Sequence, residues 1–302
     1  MTLIVGRIIN DRIFIESDTK ITDRSEAKSD PLVRTLKIII LHPFIAVTFA
    51  GKVYFAEKAL KEIYSKGRLR IQDIIEILAT HNKESIIASD GNPDRETDFV
   101  LAVIENKKPR IFKISNGIIE QNLQTFWLGD KLAFNKFQGN YHDLKKGGVS
   151  EKDSLRDAFK SVVDNESIET VGNFHIEVHM NEKICPNEVV FLYTNRTEIS
   201  IGKQPPIHLK EANKYYPVPM GTTEGGAYGI SYLVSVSPNI HGVALHFLYG
   251  NFGVLFCPQL SLEGIKIRDV NGKEFVSEIK NRFNLPMRGL VKLDETKIDI
   301  FQ

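Results

Sequence analysis

Two hairpin patterns fill the first fifty residues and leave the chain little freedom in how it begins. Residues 2–9 and 13–18 are runs rich in isoleucine, valine and phenylalanine, separated by Asn10-Asp11. Such runs around turn residues read as antiparallel strands. Residues 36–41 and 44–51 repeat the arrangement about His42-Pro43 and end in Ala50-Gly51.

After Gly51 the apolar spacing turns helical. Val53, Ala56, Leu60 and Ile63 predict one helix stopping near Gly67, and Ile71, Ile74, Ile75 and Leu78 predict a second. Strands are expected again at 99–104 and 110–114, with Pro109 and Asn116-Gly117 at their turns. Ser150 with Asp153 starts a further helix, carried by Leu155, Ala158, Phe159, Val162 and Val163, and 174–180 and 189–194 follow as strands. Runs segregated in this way predict an α+β fold rather than alternating βαβ units.

From about Lys203 the texture changes. Pro205-Pro206 and a polar stretch ending in Tyr215-Tyr216-Pro217 read as a connection. Beyond it come short strand-like runs at 228–236, 243–249 and 253–256, and a hairpin 265–268/274–279 about Asn271-Gly272. The expected organisation is therefore a first domain, 1–204, and an additional β-rich module, 205–302. Thr222-Thr223-Glu224-Gly225-Gly226 within the module reads as a glycine-rich turn, with a site loop as the alternative.

Composition excludes several function classes. Among 302 residues, formal net charge is +1, which gives no electrostatic case for binding nucleic acid or an anionic membrane surface. No apolar stretch approaches the ~20 residues of a membrane span, and the N-terminus lacks a charged-then-apolar signal pattern. Cys185 and Cys257 are far apart and without metal spacing, as expected of reduced thiols in a cytoplasmic protein. His175, Glu177 and His179 share one strand face and could in principle ligate a metal; a half-exposed strand with a polar outer face is the simpler reading. No metal or cofactor is expected.

Thr2 carries the chemistry. It is small enough for Met1 to be excised, which would leave a hydroxyl nucleophile and a free α-amine on one residue. Such an amine titrates near pH ~7.7–8.0, and threonine paired with its own amine is a known way of activating a weak nucleophile. With Thr2 opening Thr2-Leu3-Ile4-Val5-Gly6, then Asp18-Thr19-Lys20, Lys37, Pro43 and Ala50-Gly51 in this order, the sequence resembles the proteasome β-subunit family of N-terminal nucleophile (Ntn) hydrolases, bacterial heat-shock peptidase relatives included. The resemblance is specific over residues 2–66 and looser to about 200.

That resemblance implies a four-layer αββα sandwich followed by the extra β-rich module. It implies a threonine-dependent amide hydrolase, most simply a peptidase, cytoplasmic and homo-oligomeric, acting on a peptide or small amide and open to an ATPase or other regulatory partner. Thr2 would be the nucleophile, Lys37 would favour its alkoxide, Asp18 would pair with Lys37, and the Gly51 N–H would receive the oxyanion. Lys20, Gly129 and Asp130 fall at supporting positions, and Ile21, Thr35, Ile39, Phe49 and Val53 at pocket positions, a set nearly all apolar and without charge, suited to small or medium apolar side chains. Three features depart from the family pattern. Lys20 replaces an arginine. Asp130 stands where a serine is usual, so it would lie near the amine and favour its protonated form. Glu169-Thr170-Val171-Gly172-Asn173 replaces an Asp-x-x-Ser-Gly-Gly element. A non-catalytic subunit serving binding or assembly, and a small-molecule amidase on the same fold, are the alternative readings.

Overall fold

The structure, a computed structural model, describes residues 2–20, 35–66, 70–165, 168, 170–172, 174–182, 188–201, 207–211, 214–218, 227–237, 239–247, 252–292 and 298–301. The chain is mixed α and β, with antiparallel sheets and five α-helices among these residues. It divides into two compact units, one of Met1–Asp23 and Lys37–Leu192, the other of Arg24–Leu36 and Tyr193–Gln302.

The first unit opens with the hairpin read from the sequence, β1 (Leu3–Ile9) and β2 (Arg12–Ser17). Asn10 and Asp11 both have positive φ, 48° and 58°, as a two-residue turn matching strand twist requires. β3 (Ile38–His42) and β4 (Ile45–Ala50) form the second hairpin, and α1 (Val53–Ser65) and α2 (Ile71–Ser89) follow as a helical pair. The chain then runs through β5 (Asp98–Glu105), β6 (Lys108–Ser115), β7 (Ile118–Gln121) and β8 (Thr125–Gly129). Next come α3 (Lys131–Lys146), α4 (Glu151–Val163), β9 (Ile176–Glu182) and β10 (Val189–Tyr193). One five-stranded sheet has the order β10-β9-β2-β1-β8 and the other is the meander β3-β4-β5-β6-β7.

Several of these strands read as continuous apolar runs because both of their faces are covered. All six residues of β4 are buried. α2 packs on β5 and β6, α4 packs on β2, and the two sheets meet through β1 with β4, β2 with β6 and β4 with β8. Between α3, α4 and the first sheet, Leu3, Val5 and Phe14 close against Phe137, Tyr141, Leu155, Phe159 and Val162. At roughly 1.5–3 kcal/mol per fully buried large side chain, this cluster holds the helices down on the strands that bear Thr2 and Asp18.

The second unit contains β11 (Arg196–Ile201), the ribbon β12 (Ile207–Glu211) and β13 (Lys214–Val218), then β14 (Ala227–Ser235), β15 (Val243–Phe247), β16 (Phe252–Cys257) and β17 (Ser261–Arg268). It ends with α5 (Gly272–Phe283), β18 (Met287–Lys292) and β19 (Ile298–Phe301). Its main sheet runs β17-β16-β15-β14-β18-β19, with β11 also on β14. The expected hairpin about Asn271-Gly272 is a strand followed by a helix. Asn271 caps α5, its side chain accepting from Glu274 N–H while the Glu274 carboxylate accepts from Asn271 N–H. Asn-Gly serves either a tight turn or a cap; here Glu274 at the third helical position closes a capping box. Phe275, Val276 and Ile279 then share the face that packs on Leu233, Ala244 and Leu255. The glycine-rich stretch 222–226 and the Pro205-Pro206 connection lie outside the described residues.

Beneath α5, His246 on β15 is buried with its ring 5.4 Å from Phe275. Loss of water lowers its pKa to about 4, against an ordinary 6.5, and the nearby Val270 backbone offsets this only in part. The unfolded chain therefore takes up this proton near pH 6.5 while the folded chain resists until about pH 4. Stability should fall as pH drops across that window, by up to roughly 3 kcal/mol at ~1.4 kcal/mol per pH unit. Urea unfolding of wild type and His246→Leu between pH 7 and 4 checks this: the difference between them should narrow or reverse on acidification, and parallel profiles would contradict it.

Candidate functional site

Thr2 lies just before β1, where three backbone features fix it. Leu3 pairs in register with Gly129 at the end of β8. Gly129 has φ +98°, and a Cβ there would lie 1.9 Å from the Thr2 carbonyl oxygen. Only glycine satisfies both the left-handed backbone and this close approach. The next residue, Asp130, donates its N–H to the Thr2 carbonyl at 2.6 Å.

Asp18 follows the last residue of β2 and lies level with Leu3, its N–H donating to the Leu3 carbonyl at 3.4 Å. Its side chain is 0% exposed. Oδ1 accepts from the Leu3 N–H at 3.2 Å, from the Thr2 hydroxyl, and from Lys37 Nζ at 3.0 Å. Oδ2 accepts from the N–H groups of Lys20 at 3.1 Å and Gly172 at 3.4 Å. A buried carboxylate is tolerable only with this density of donors and a countercharge.

Lys37 precedes β3, and its carbonyl accepts from Phe49 N–H at 3.2 Å, extending the β3–β4 ladder. Its ammonium, on a side chain 4% exposed as a residue, donates to Thr2 Oγ1, to Asp18 Oδ1 and to the Lys20 carbonyl at 2.6 Å. Three donors thus meet three acceptors. The Thr2 hydroxyl is held with its proton toward a carboxylate and its lone pair toward an ammonium, and Thr2 itself is 2% exposed. Such an ammonium can stabilise the alkoxide that forms when the hydroxyl proton leaves.

The other sequence-derived positions separate into groups. Lys20 joins the cluster through its backbone, while its side chain lies against Gly172. Asp130 caps α3, with Oδ1 accepting from Ala133 N–H at 2.9 Å and Oδ2 from the Thr170 hydroxyl at 2.7 Å. Gly51 sits at the strand-to-helix corner with φ +114°, where a Cβ would lie 1.8 Å from the Glu96 carbonyl oxygen. Its glycine is required there by the Glu96 backbone. Of the pocket positions, Ile39 and Phe49 are closed into the core and Val53 is half-buried in the first turn of α1. Thr35 bridges Glu263 and belongs to the second unit, and Ile21 lies outside the described residues.

Sequence reasoning undervalued two groups. The segment between α4 and β9 supplies Thr170 to Asp130 and Gly172 N–H to Asp18; a hydroxyl and a glycine two residues apart are its only signal. The His175, Glu177 and His179 face is not a half-exposed outer face. α4 covers it, with His175 Nε2 2.6 Å from Glu16 Oε2 and its ring 5.0 Å from Phe159. Among the described residues no three His, Cys, Asp or Glu side chains gather as metal ligands, and no helix is long and apolar enough to cross a membrane. Cys257 is buried, and desolvation pushes its thiol up to about 11, which makes it a poor nucleophile. Cys185 lies outside the described residues.

A scan of protein-family models finds none that matches the chain, and a search of curated proteins finds no match either.

The cluster predicts an asymmetry in stability. Asp18→Ala leaves the Lys37 ammonium buried without its anion and should cost about 3–5 kcal/mol. Lys37→Met should cost less, because the Leu3, Lys20 and Gly172 N–H groups still hold the carboxylate. Urea unfolding at pH 7 measures both, and equal losses would mean that the backbone donors contribute nothing.

Proposed function

We propose that this protein is a threonine-dependent amide hydrolase of the N-terminal nucleophile type, most simply a peptidase, in which removal of Met1 exposes Thr2. The single observation that carries this reading is the bonding of one buried threonine hydroxyl to both Asp18 and Lys37. The packing of α2, paired with α1, on one sheet, of α3 and α4 on the other, and of sheet against sheet supports the four-layer αββα arrangement of the family that the sequence resembles. In this mechanism Thr2 Oγ1 attacks the amide carbonyl. Its proton passes to the α-amine, Lys37 stabilises the alkoxide, and Asp18 fixes Lys37. The amine then returns the proton to the leaving nitrogen, and water resolves the acyl-enzyme ester. A cytoplasmic homo-oligomer, with or without an ATPase partner, is part of the same proposal.

The burial of Thr2 favours a second reading, a non-catalytic subunit in which the same three side chains only lock strand ends together. Intact mass of protein from cells with normal methionine processing should show a chain starting at Thr2. A β-lactone or epoxyketone should label wild type on Thr2. Thr2→Ala should abolish labelling and Lys37→Met should slow it about 10²-fold or more. Retained Met1 would remove the amine base, and equal labelling of wild type and Thr2→Ala would place the reactive group elsewhere.

A further inference from the structure

α3 carries three rings on one face, Phe134, Phe137 and Tyr141, and that face does not close completely on the strands beneath it. Trp127 of β8 stacks on Phe134 with centroids 4.4 Å apart and planes 10° from parallel. The row continues from Phe134 to Phe137 at 6.1 Å and from Phe137 to Tyr141 at 5.9 Å. These rings border a cavity of about 130 Å³ that also has the buried Val5 and Leu155 in its lining, with Thr125, Gln138 and His142 as its exposed members. An apolar cavity of about 150 Å³ accepts benzene, so this one has room for a single aromatic ring. It lies on the strands that lead to Thr2 but not at Thr2. Val5 pairs with Trp127 and Arg7 with Thr125, whereas Leu3 pairs with Gly129 at the Thr2 end. Four residues along a strand span about 13 Å.

The lining decides what such a ring can carry. Arg7 is its permanent charge, and that charge is already paired: the guanidinium is 2.7 Å from the Glu151 carboxylate and lies 5.4 Å over the Tyr141 ring. The Tyr141 hydroxyl donates to the same carboxylate at 3.1 Å. An anion entering the cavity would give up water without gaining an unengaged cation, and a cation would meet Arg7; both are costly. An uncharged ring gains twice, from leaving water and from stacking parallel to the Trp127–Phe134 pair. A hydroxyl on its outer edge can bond to Thr125, Gln138 or His142. We propose that the cavity under α3 is a binding site for a small, uncharged aromatic molecule of phenol size, separate from the Thr2 cluster. The site does not require Thr2 to be a nucleophile.

Trp127 is the protein's one tryptophan, so its fluorescence reports on this cavity. 4-Fluorophenol titrated into the full chain at pH 7 should shift its own ¹⁹F resonance and the Trp127 emission along one saturable isotherm, with a Kd on the order of 1 mM or tighter. In displacement, cyclohexanol, similar in size but without a π-system, should bind about threefold or more weaker than 4-fluorophenol, and 4-fluorobenzoate about tenfold or more weaker. Thr125→Phe and Gln138→Phe each set a ring among the exposed members of the lining, away from the core, and should weaken 4-fluorophenol about tenfold or more. Thr2→Ala, at a distant position, should leave the Kd within about twofold. No saturable binding, a fluorine shift without any change at Trp127, or unchanged affinity in both phenylalanine variants would overturn the site. Equal displacement by cyclohexanol would overturn the stacking, and tighter binding of 4-fluorobenzoate would overturn the preference for an uncharged ring. Loss of binding in Thr2→Ala would move the probe to the Thr2 cluster and overturn the separation of the two sites.

Discussion

The carboxylate of Asp18 is the constraint around which the first unit is arranged. It is fully buried, and it is held by the Thr2 hydroxyl, the Lys37 ammonium and the N–H groups of Leu3, Lys20 and Gly172. Those groups come from four places: the start of β1, the end of β2, the residue before β3 and the segment before β9. Desolvating a carboxylate costs several kcal/mol unless an opposite charge and hydrogen bonds replace the lost water. Each of the four chain segments is therefore drawn to the same point, and a shift of any one would leave a buried charge short of a partner. The site and the framework share one electrostatic solution, which explains why a threonine at a strand end is so firmly fixed.

Two glycines let backbone segments of the first unit close on one another. Gly129 allows β8 to approach the Thr2 carbonyl, and Gly51 allows the turn out of β4 to press on the Glu96 carbonyl. Both have positive φ, so any side chain would meet a backbone oxygen and a strained conformation together. α3 starts one residue after this approach, capped by Asp130. The helix, its cap and the Thr2 carbonyl are thus consecutive links of one short chain of hydrogen bonds, with Thr170, from the segment after α4, attached to it.

Much of the first unit was legible in the residues because local chemistry and tertiary burial agree there. Asn10-Asp11 and Asn116-Gly117 adopt the positive φ values that their side chains tolerate, and the apolar spacing of α1, α2 and α4 matches the buried faces of those helices. α3 was not anticipated. Its buried residues are Ala133, Phe137 and Tyr141 amid polar neighbours, a sparse stripe that becomes convincing only once Trp127 stacks on Phe134 at 4.4 Å and α4 lies alongside. Asn271-Gly272 misled for a related reason: the same pair suits a turn and a cap, and the sheet beneath Phe275 decides between them.

The sequence by itself determined the strand and helix periodicities of the first unit and the order in which Thr2, Asp18 and Lys37 occur. These are set by side-chain type, turn propensity and spacing along the chain. Tertiary structure alone decided that the three meet on one hydroxyl, that Asp130 serves a helix start and Thr170 serves Asp130, and that the His175 face lies under α4. Alternation along a strand separates its two faces but carries no information about what covers each, and a polar side chain does not encode a partner that is remote in sequence. Those pairings follow from which surfaces the packing of helices and sheets removes from water, and from the need of every buried polar group to find a partner there.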